Sequence, residues 1–372
     1  MKKVLLILLA LLAAACLAAM PFLCTHSNIL PEVSTAYYEQ KAQKEALTAT
    51  GPEAELMRML LGLSADTEVE PVATKPAFNL FGLTLAIGAV IAIVSLICIN
   101  WRYPNLRPAF LCTAALAVPF GLIGARLVYC LVNINFYLNT ISAPEAMLKV
   151  WEGGLSMSGA LAGAVLAGVV GAAITNISLH DVLDDLIFVL SIFCFFATIA
   201  VEGIDMGFGP EVSHSFGKLT ITIGETLRLN TSLLVQTLMV ALCLMWLQKE
   251  ISHSSKGISK PGTSFALTVF LYGSLMILLE SLRRDGHMLW GFVHAEMVFD
   301  LIFALAALLY LARTKKRILL SLLATAVLAG AVVALEFALD RSNLGDGLLY
   351  AVYIVVLAAY ATLGCLFARK TK

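Results

Sequence analysis

Ten separate runs of about 20 apolar residues divide this 372-residue chain. A helix needs about 20 apolar residues to cross the roughly 30 Å hydrocarbon core of a bilayer. Charged residues make up 13% of the chain, about half the share found in soluble domains. The sequence therefore predicts an all-α fold, a polytopic transmembrane helical bundle of about ten spans, at 4–24, 77–100, 109–132, 155–175, 182–201, 231–248, 263–281, 293–312, 318–338 and 347–367.

Basic residues between the runs predict the orientation of the bundle. Cytoplasmic connections of membrane proteins carry an excess of Lys and Arg, and Lys2 and Lys3 precede the first run. Alternation from that start puts 14 of the 25 basic residues on the cytoplasmic side. With an even number of spans, both the N and C termini are expected to be cytoplasmic.

The spans divide the chain into four parts. Residues 1–24 are expected to form an N-terminal transmembrane helix, although Ala13-Ala14-Ala15-Cys16 gives the segment a signal-like character with a lipoprotein-type cleavage box. We favour an uncleaved helix because the apolar run continues past Cys16. The other parts are an external loop at 25–76 that contains a short amphipathic helix, a membrane core at 77–312 and an additional C-terminal helix pair at 313–372.

Charge and cysteine usage narrow the possible functions. The 25 basic and 25 acidic residues cancel, so no basic excess indicates nucleic acid as a partner. The eight cysteines all lie in or beside apolar runs, and none forms a C-x-x-C pair. Such cysteines act as small hydrophobic residues, so we expect no metal and no cofactor.

Ionisable residues at membrane depth are the main functional candidates, since each costs roughly 2.5–3.5 kcal/mol on insertion scales unless paired or hydrated. Arg126 lies in the third run, Glu202 ends the fifth, and Glu280 and Arg283 end the seventh. With Glu152 before the fourth run, all of them fall on the predicted outer side, which indicates one common site. Two alternatives stay open: Glu280 pairs with Arg283 or its neighbour at helical spacing, and Glu202 simply borders water.

A glycine-rich stretch opens the fourth run and allows two interpretations. From Gly159 onward, small residues recur every four positions, a spacing that lets another membrane helix approach closely. Gly153, Gly154, Ser156 and Ser158 precede the helix and could present backbone N–H groups to an anion. Both interpretations can hold together.

In order and spacing, these motifs resemble those of the bacterial prolipoprotein diacylglyceryl transferase family. The matching pieces are Gly124-Ala-Arg126-x-x-Tyr129, Trp151-x-Gly153-Gly154-x-Ser156, the glycine-rich stretch from Glu202 to Gly209, and Tyr272-Gly273 with Glu280-x-x-Arg283. The resemblance covers roughly 78–312, so it implies that 77–312 is a transferase-like membrane core.

The resemblance also implies a reaction. A diacylglyceryl group is transferred from phosphatidylglycerol to the lipobox cysteine thiol of prolipoproteins, in the bacterial plasma membrane, with the active site facing the outer side. The implied partners are phosphatidylglycerol, prolipoprotein signal peptides and other membrane lipids.

The same resemblance assigns site residues. The implied catalytic residues are Arg126, Glu202, Glu280 and Arg283, with the two arginines facing the lipid phosphate. A thiol with a pKa of about 8.5 needs a base or a positive field, and Glu202, Glu280, His214 and His287 all remain candidates. The implied substrate-binding residues are Tyr129, Gly153, Gly154, Ser156, Ser158 and Tyr272.

The chain also departs from the family pattern. Ser158 stands where the family usually has a histidine, and Thr198 and Met276 stand where it has arginines. These departures leave a second hypothesis, a catalytically inactive phospholipid-binding or lipid-transport protein of the same fold. An ion-coupled transporter is a third, but its ionisable residues would be expected near the midplane rather than at one face.

Overall fold

A computed structural model describes residues 2–25, 29–64, 67–101, 103–256, 262–312, 314–341 and 345–369. Within these ranges the chain is mostly helical, and ten of its helices are long and apolar enough to cross a membrane. The twelve α-helices are α1 (Lys2–Leu23), α2 (Pro31–Thr48), α3 (Pro52–Leu60), α4 (Leu80–Asn100), α5 (Arg107–Val132), α6 (Met157–Thr175), α7 (Leu179–Glu202), α8 (Thr231–Lys256), α9 (Thr263–Leu282), α10 (Ala295–Ala312), α11 (Lys315–Arg341) and α12 (Asp346–Arg369).

All ten predicted spans coincide with helices, so the predicted fold class is confirmed. Most helix ends lie within three residues of the predicted ends. The exception is α8, which continues past the predicted end at 248 to Lys256. A helix does not stop where its hydropathy falls, because its backbone hydrogen bonds continue through polar residues until a capping or breaking residue intervenes.

Four long connections lie at one end of the bundle, which we call the long-loop end. They join α1 to α4, α5 to α6, α7 to α8, and α9 to α10. Two of them contain short antiparallel sheets: β1 (Phe208–Glu211), β2 (Thr220–Ile223) and β3 (Thr226–Asn230) in the order β1-β3-β2, and the pair β4 (Leu289–Trp290) and β5 (Val293–His294). This end holds most of the polar side chains discussed below.

The first long connection contains more helix than the sequence predicts. The expected amphipathic helix is present as α3, but α2 precedes it with 18 residues. Each helix has a proline at its start, where the missing N–H costs nothing. Hydropathy could not reveal α2, because it is held by a few contacts, such as that of fully buried Tyr37, rather than by an apolar face.

The N-terminal helix α1 is packed into the bundle against α4 and α5. Its last turn is tied to the start of α4, where the Asn79 side chain donates a 2.9 Å hydrogen bond to the carbonyl of Pro21. Gly82 lets the two backbones meet, since a Cβ there would overlap the carbonyl oxygens of Met20 and Cys24. In this structure α1 is thus an integral part of the helical core.

Helices α5 and α6 form the closest pair in the bundle. A Cβ on Gly124 would overlap the carbonyl oxygen of Gly159, and a Cβ on Gly163 would overlap that of Phe120. Small residues at a spacing of four thus bring the two backbones into contact, as the sequence predicts for the positions from Gly159 onward. The pair holds the connection between α5 and α6 in place at the long-loop end.

The C-terminal helices α11 and α12 pack against α9 and α10 around a shared apolar core. Phe270 and Leu308 of the membrane core meet Tyr353 and Leu357 of α12 there, all of them almost completely buried. Gly364 of α12 lies against the Phe270 ring, with no room for a larger side chain. The additional helix pair therefore packs against one face of α9, and the opposite face of α9 lines the cavity described next.

Candidate functional site

A large cavity runs along the inside of the bundle, enclosed by α1 and by α4 to α10. Its empty volume, counted together with the space at its openings, is about 1620 Å³. On α4 the lining extends from Phe81 to Leu96, which is about 22 Å along a helix axis. Most of the wall is aliphatic or aromatic, so the cavity suits a long apolar ligand.

Charged and polar side chains line one region of this cavity, toward the long-loop end. They come from four different parts of the chain, which the fold brings together. Helix α9 supplies Tyr272 and Glu280, the following connection supplies Arg283 and His287, α10 supplies Glu296 and Asp300, and the turn before α6 supplies Ser156. The cavity thus joins a long apolar space to a group of ionisable residues.

Arg283 is the cation of this region, and two carboxylates hold it. Its guanidinium lies 3.1 Å from Glu280 and 2.6 Å from Asp285. Asp285 also accepts a 2.8 Å hydrogen bond from the backbone N–H of Gly207. The pairing of Glu280 with Arg283, left open by the sequence, is therefore the arrangement in this structure.

Arg283 and Asp285 stabilise each other's charged forms. Burial alone would raise the pKa of Asp285, but the charge and hydrogen bonds of Arg283 and the Gly207 N–H lower it to about 2. Burial alone would lower the pKa of Arg283, but Glu280 and Asp285 raise it well above its ordinary value. At neutral pH Arg283 is therefore a fixed, fully charged guanidinium.

Two histidines lie beside Arg283 and are uncharged at neutral pH. His287 is buried, and its ring stacks on Tyr129 with centroids 6.0 Å apart. Burial, together with the charge of Arg283, lowers the pKa of His287 to about 3, and the same causes lower the pKa of His294. His214, another candidate base from the sequence, is exposed and contacts Ser213.

Arg126 is buried, but its guanidinium points to the protein backbone. Its Nε donates to the carbonyl of Met147 at 2.9 Å, Nη1 donates to Gly153 and Gly154, and Nη2 donates to Ala146 and Lys149. A guanidinium has five N–H donors, so none is left over for a ligand. The groups that bind the buried Arg126 guanidinium thus all belong to the connection between α5 and α6.

Gly153 and Gly154 serve this arrangement through their carbonyl groups rather than their N–H groups. Both have positive φ angles, 96° and 87°, which glycine adopts without the strain that other residues incur. A Cβ on Gly154 would overlap the ring of Tyr129. The glycine pair therefore turns two carbonyls toward Arg126 and lets Tyr129 lie directly over the backbone.

Glu152, directly before the glycines, anchors the first long connection. It is completely buried and accepts hydrogen bonds from Tyr37 at 2.9 Å and Thr74 at 2.6 Å. The Lys149 ammonium lies 3.6 Å away, and Trp151 donates to Thr74. These contacts join α2 and residue 74 to the turn that Arg126 organises.

An anion does occupy the N-terminus of α6, and it is a side chain of the protein itself. The Glu296 carboxylate accepts hydrogen bonds from Ser156 Oγ at 2.8 Å, the Met157 N–H at 3.1 Å and the Ser158 N–H at 3.2 Å, and it contacts Ser158 Oγ as well. The expectation of anion binding there is met by Glu296, a residue that no motif in the sequence marks as a candidate. The only available signal was an acidic residue inside a predicted span.

The predicted site residues thus fall into separate groups. The cavity wall contains four of them: Ser156, Tyr272, Glu280 and Arg283. Ser158 is not part of the wall and, like Ser156, contacts the Glu296 carboxylate. Arg126, Tyr129, Gly153 and Gly154 form an adjoining cluster outside the wall. Glu202 lies elsewhere, held by the amides of Asn230 at 2.9 Å and Gln236 at 3.1 Å. Thr198 and Met276, the positions of the missing family arginines, do line the cavity.

The fold and this site define a polytopic helical membrane protein with a long internal cavity that is apolar along most of its length and carries ionisable groups near one end. The family model described as prolipoprotein diacylglyceryl transferase matches residues 72–313. The chain belongs to this family. The match includes the entire cavity wall except for the part contributed by α1, and it leaves out α11 and α12.

Several bacterial proteins named phosphatidylglycerol–prolipoprotein diacylglyceryl transferase are similar to parts of this chain. The Bacillus licheniformis protein is 25% identical over 108 residues, 29% of this chain and 39% of that protein. The Bacillus velezensis protein is 24% identical over 123 residues, 32% and 44% of the two chains. The Listeria innocua protein is 37% identical over 68 residues, 18% and 24%. The matched stretches therefore span less than half the length of these curated relatives.

Proposed function

We propose that this protein transfers a diacylglyceryl group from phosphatidylglycerol to the lipobox cysteine thiol of a prolipoprotein. The substrates are those named for its relatives. In this proposal the acyl chains lie in the apolar part of the cavity and the phosphate lies at Arg283. Signal peptides of prolipoproteins and membrane lipids are the partners.

The observation that carries the proposal is the position of Arg283. It is a fixed cation in the wall of a cavity that is apolar along most of its length and extends about 22 Å along α4. A phospholipid has the same two parts, an anionic phosphate attached to long apolar chains. A charge held in place by two carboxylates also needs little reorganisation when negative charge develops next to it.

The reaction moves charge toward this cation. The thiol loses its proton, and the thiolate attacks the glyceryl carbon that bears the phosphate ester. The carbon–oxygen bond breaks, a thioether forms, and glycerol phosphate leaves with one more negative charge than the lipid phosphate had. Arg283 faces the growing charge and lowers the barrier, while Glu280 and Asp285 keep it oriented.

We further propose that the protein lies in the bacterial plasma membrane with the long-loop end on the outer side. The excess of basic residues in the connections at the other end supports this orientation. In this orientation the cavity region with Arg283 is on the outer side, where lipobox cysteines of exported proteins arrive.

A direct assay tests the function. The purified protein, in vesicles containing phosphatidylglycerol, is mixed with a lipobox peptide, and the peptide mass is measured. We expect the mass to rise by one diacylglyceryl group, and not for a peptide with serine in place of cysteine or for vesicles of phosphatidylethanolamine alone. An unchanged peptide mass under all conditions would overturn the proposed reaction.

One observation favours a second candidate, a phospholipid-binding protein without transfer activity. Thr198 and Met276 line the cavity at positions where the family has arginines, so the wall carries fewer cations than the family pattern provides. Retention of phosphatidylglycerol by the purified protein without any change in peptide mass would support this candidate over the transferase.

A further inference from the structure

Asp300 stands out among the carboxylates of the cavity because one of its oxygens has no partner. The residue is 1% exposed and lies in the cavity wall on α10. Among the described residues, no donor lies within hydrogen-bonding distance of its Oδ1. Buried polar atoms are nearly always hydrogen-bonded, so an unsatisfied one in a cavity calls for an explanation by function or by a ligand.

Asp300 lies in the polar region of the cavity wall. Glu296 lies four residues earlier on the same face of α10, and both residues line the cavity. On the neighbouring helix, Gly273 lies directly against the backbone of Asp300. Met276, one turn further along α9, also lines the cavity. The carboxylate of Asp300 therefore lies deeper in the membrane than Arg283, on the side where the diacylglyceryl part of a bound lipid would lie.

The other acceptors of this region are already engaged. Glu280 is paired with Arg283, and the two oxygens of Glu296 together accept four hydrogen bonds from the start of α6. His287 has a pKa lowered to about 3 by burial and by Arg283, which makes it a weak base. Glu202 is held by two amides away from the cavity.

We propose that Asp300 is the catalytic base that accepts the proton of the substrate thiol, an inference that rests on the proposed transferase function. The S–H bond breaks and its proton goes to the carboxylate of Asp300. The sulfur electron pair attacks the glyceryl carbon, and the electrons of the broken carbon–oxygen bond leave with the glycerol phosphate. The proton then passes from Asp300 to the departing phosphate or to water.

With Asp300 as the base, the net charge in the cavity stays constant during the reaction. Asp300 loses one negative charge as it takes the proton, and the leaving phosphate gains one near Arg283. The titratable groups on the surrounding elements are Glu296 on α10, Glu280 and Tyr272 on α9, and Cys194 on α7. None of them is a cation, so none forms an ion pair that would compete with proton uptake.

The test compares Asp300→Asn with the wild type in the vesicle assay at pH 7 and pH 9. Loss of a general base costs about 100- to 10,000-fold in rate, so we expect kcat at pH 7 to fall at least about 100-fold while the KM values for peptide and lipid change little. At pH 9, above the ordinary thiol pKa of about 8.5, the substrate ionises without help. The deficit of the variant should then shrink to less than about tenfold.

Glu336→Gln is the matched control, because Glu336 is also a buried carboxylate but does not line the cavity; it should react at the wild-type rate. If Asp300→Asn does not fold, Asp300→Ser carries the same test. A wild-type rate for Asp300→Asn, or an equal deficit at both pH values, would overturn the role of Asp300 and leave the transferase function intact. A wild-type protein with no transfer at all would overturn both proposals.

Discussion

The guanidinium of Arg283 lies 3.1 Å from the carboxylate of Glu280, one turn back on α9, and both residues line the wall of the same cavity. A second carboxylate, Asp285, holds the other side of the guanidinium at 2.6 Å. The cation is thus fixed before any ligand enters. An anion that binds there meets an oriented charge rather than a flexible side chain.

Arg283→Gln should lower diacylglyceryl transfer about 100- to 1,000-fold, because it removes the charge that faces the leaving phosphate. Arg284→Gln is the control, since Arg284 is exposed, does not line the cavity and donates to Tyr350 and to the carbonyls of Ser281 and Arg283; it should retain nearly full rate. Both rates are measured by peptide mass with saturating lipid. Equal rates for the two variants would remove Arg283 from the reaction.

Arg126→Ala should act on the fold rather than on the chemistry. It leaves five backbone carbonyls without their donor, and we expect a loss of at least about 2 kcal/mol in the free energy of unfolding. Thermal unfolding in detergent measures it, with exposed Arg341→Ala as the control, expected within about 0.5 kcal/mol of the wild type. An Arg126→Ala protein that melts like the wild type but has no transfer activity would show instead that Arg126 contacts the substrate.

Gly124→Ala should separate α5 from α6. A Cβ at this position overlaps the backbone carbonyl of Gly159, and overpacking of this kind costs about 1–3 kcal/mol. Gly330→Ala on α11 is the matched control, because nothing lies within 4 Å of its Cβ position. The melting temperature should fall for the first variant and stay equal or rise for the second; a fall in both would point to a general effect of the methyl group.

The free energy of unfolding should fall as the pH drops from about 6.5 toward 3, because of His287. Burial and Arg283 lower the pKa of this histidine from 6.5 to about 3, so in that window the unfolded chain binds a proton that the folded chain does not. The slope for one such group is at most about 1.4 kcal/mol per pH unit. His287→Gln should flatten the dependence of the melting temperature between pH 6.5 and 4.5, and exposed His214→Gln should not. An unchanged slope in His287→Gln would show that His287 is protonated in the fold.

The orientation of the bundle can be tested by single-cysteine labelling in a background without the native cysteines. Glu145 and Lys218 are exposed at the long-loop end, and Lys316 is exposed at the opposite end. In intact cells, a membrane-impermeant thiol reagent should label cysteine at positions 145 and 218 but not at position 316. The reverse pattern would place the long-loop end in the cytoplasm.

Hydropathy predicts the membrane spans well, because each span must satisfy the same physical requirement by itself. The pairing of Glu280 with Arg283 was one of the alternatives left open by the sequence, since the two residues are three positions apart. The contact of Glu296 with Ser156 and Ser158 was not, because the partners are about 140 residues apart and no local pattern links them. The carbonyl partners of Arg126 were missed for another reason: every residue has a carbonyl, so the sequence does not mark them.

The five carbonyls bound by Arg126 all belong to residues 146–154, which follow α5 in the chain. During synthesis α5 therefore enters the membrane before the groups that satisfy its guanidinium exist. A polar group without partners is costly in the hydrocarbon region, so the end of α5 that carries Arg126 gains its final depth only after the next segment has emerged. We expect α5, the connection and α6 to be inserted as one hairpin, with Arg126 closing it, rather than as two helices in turn.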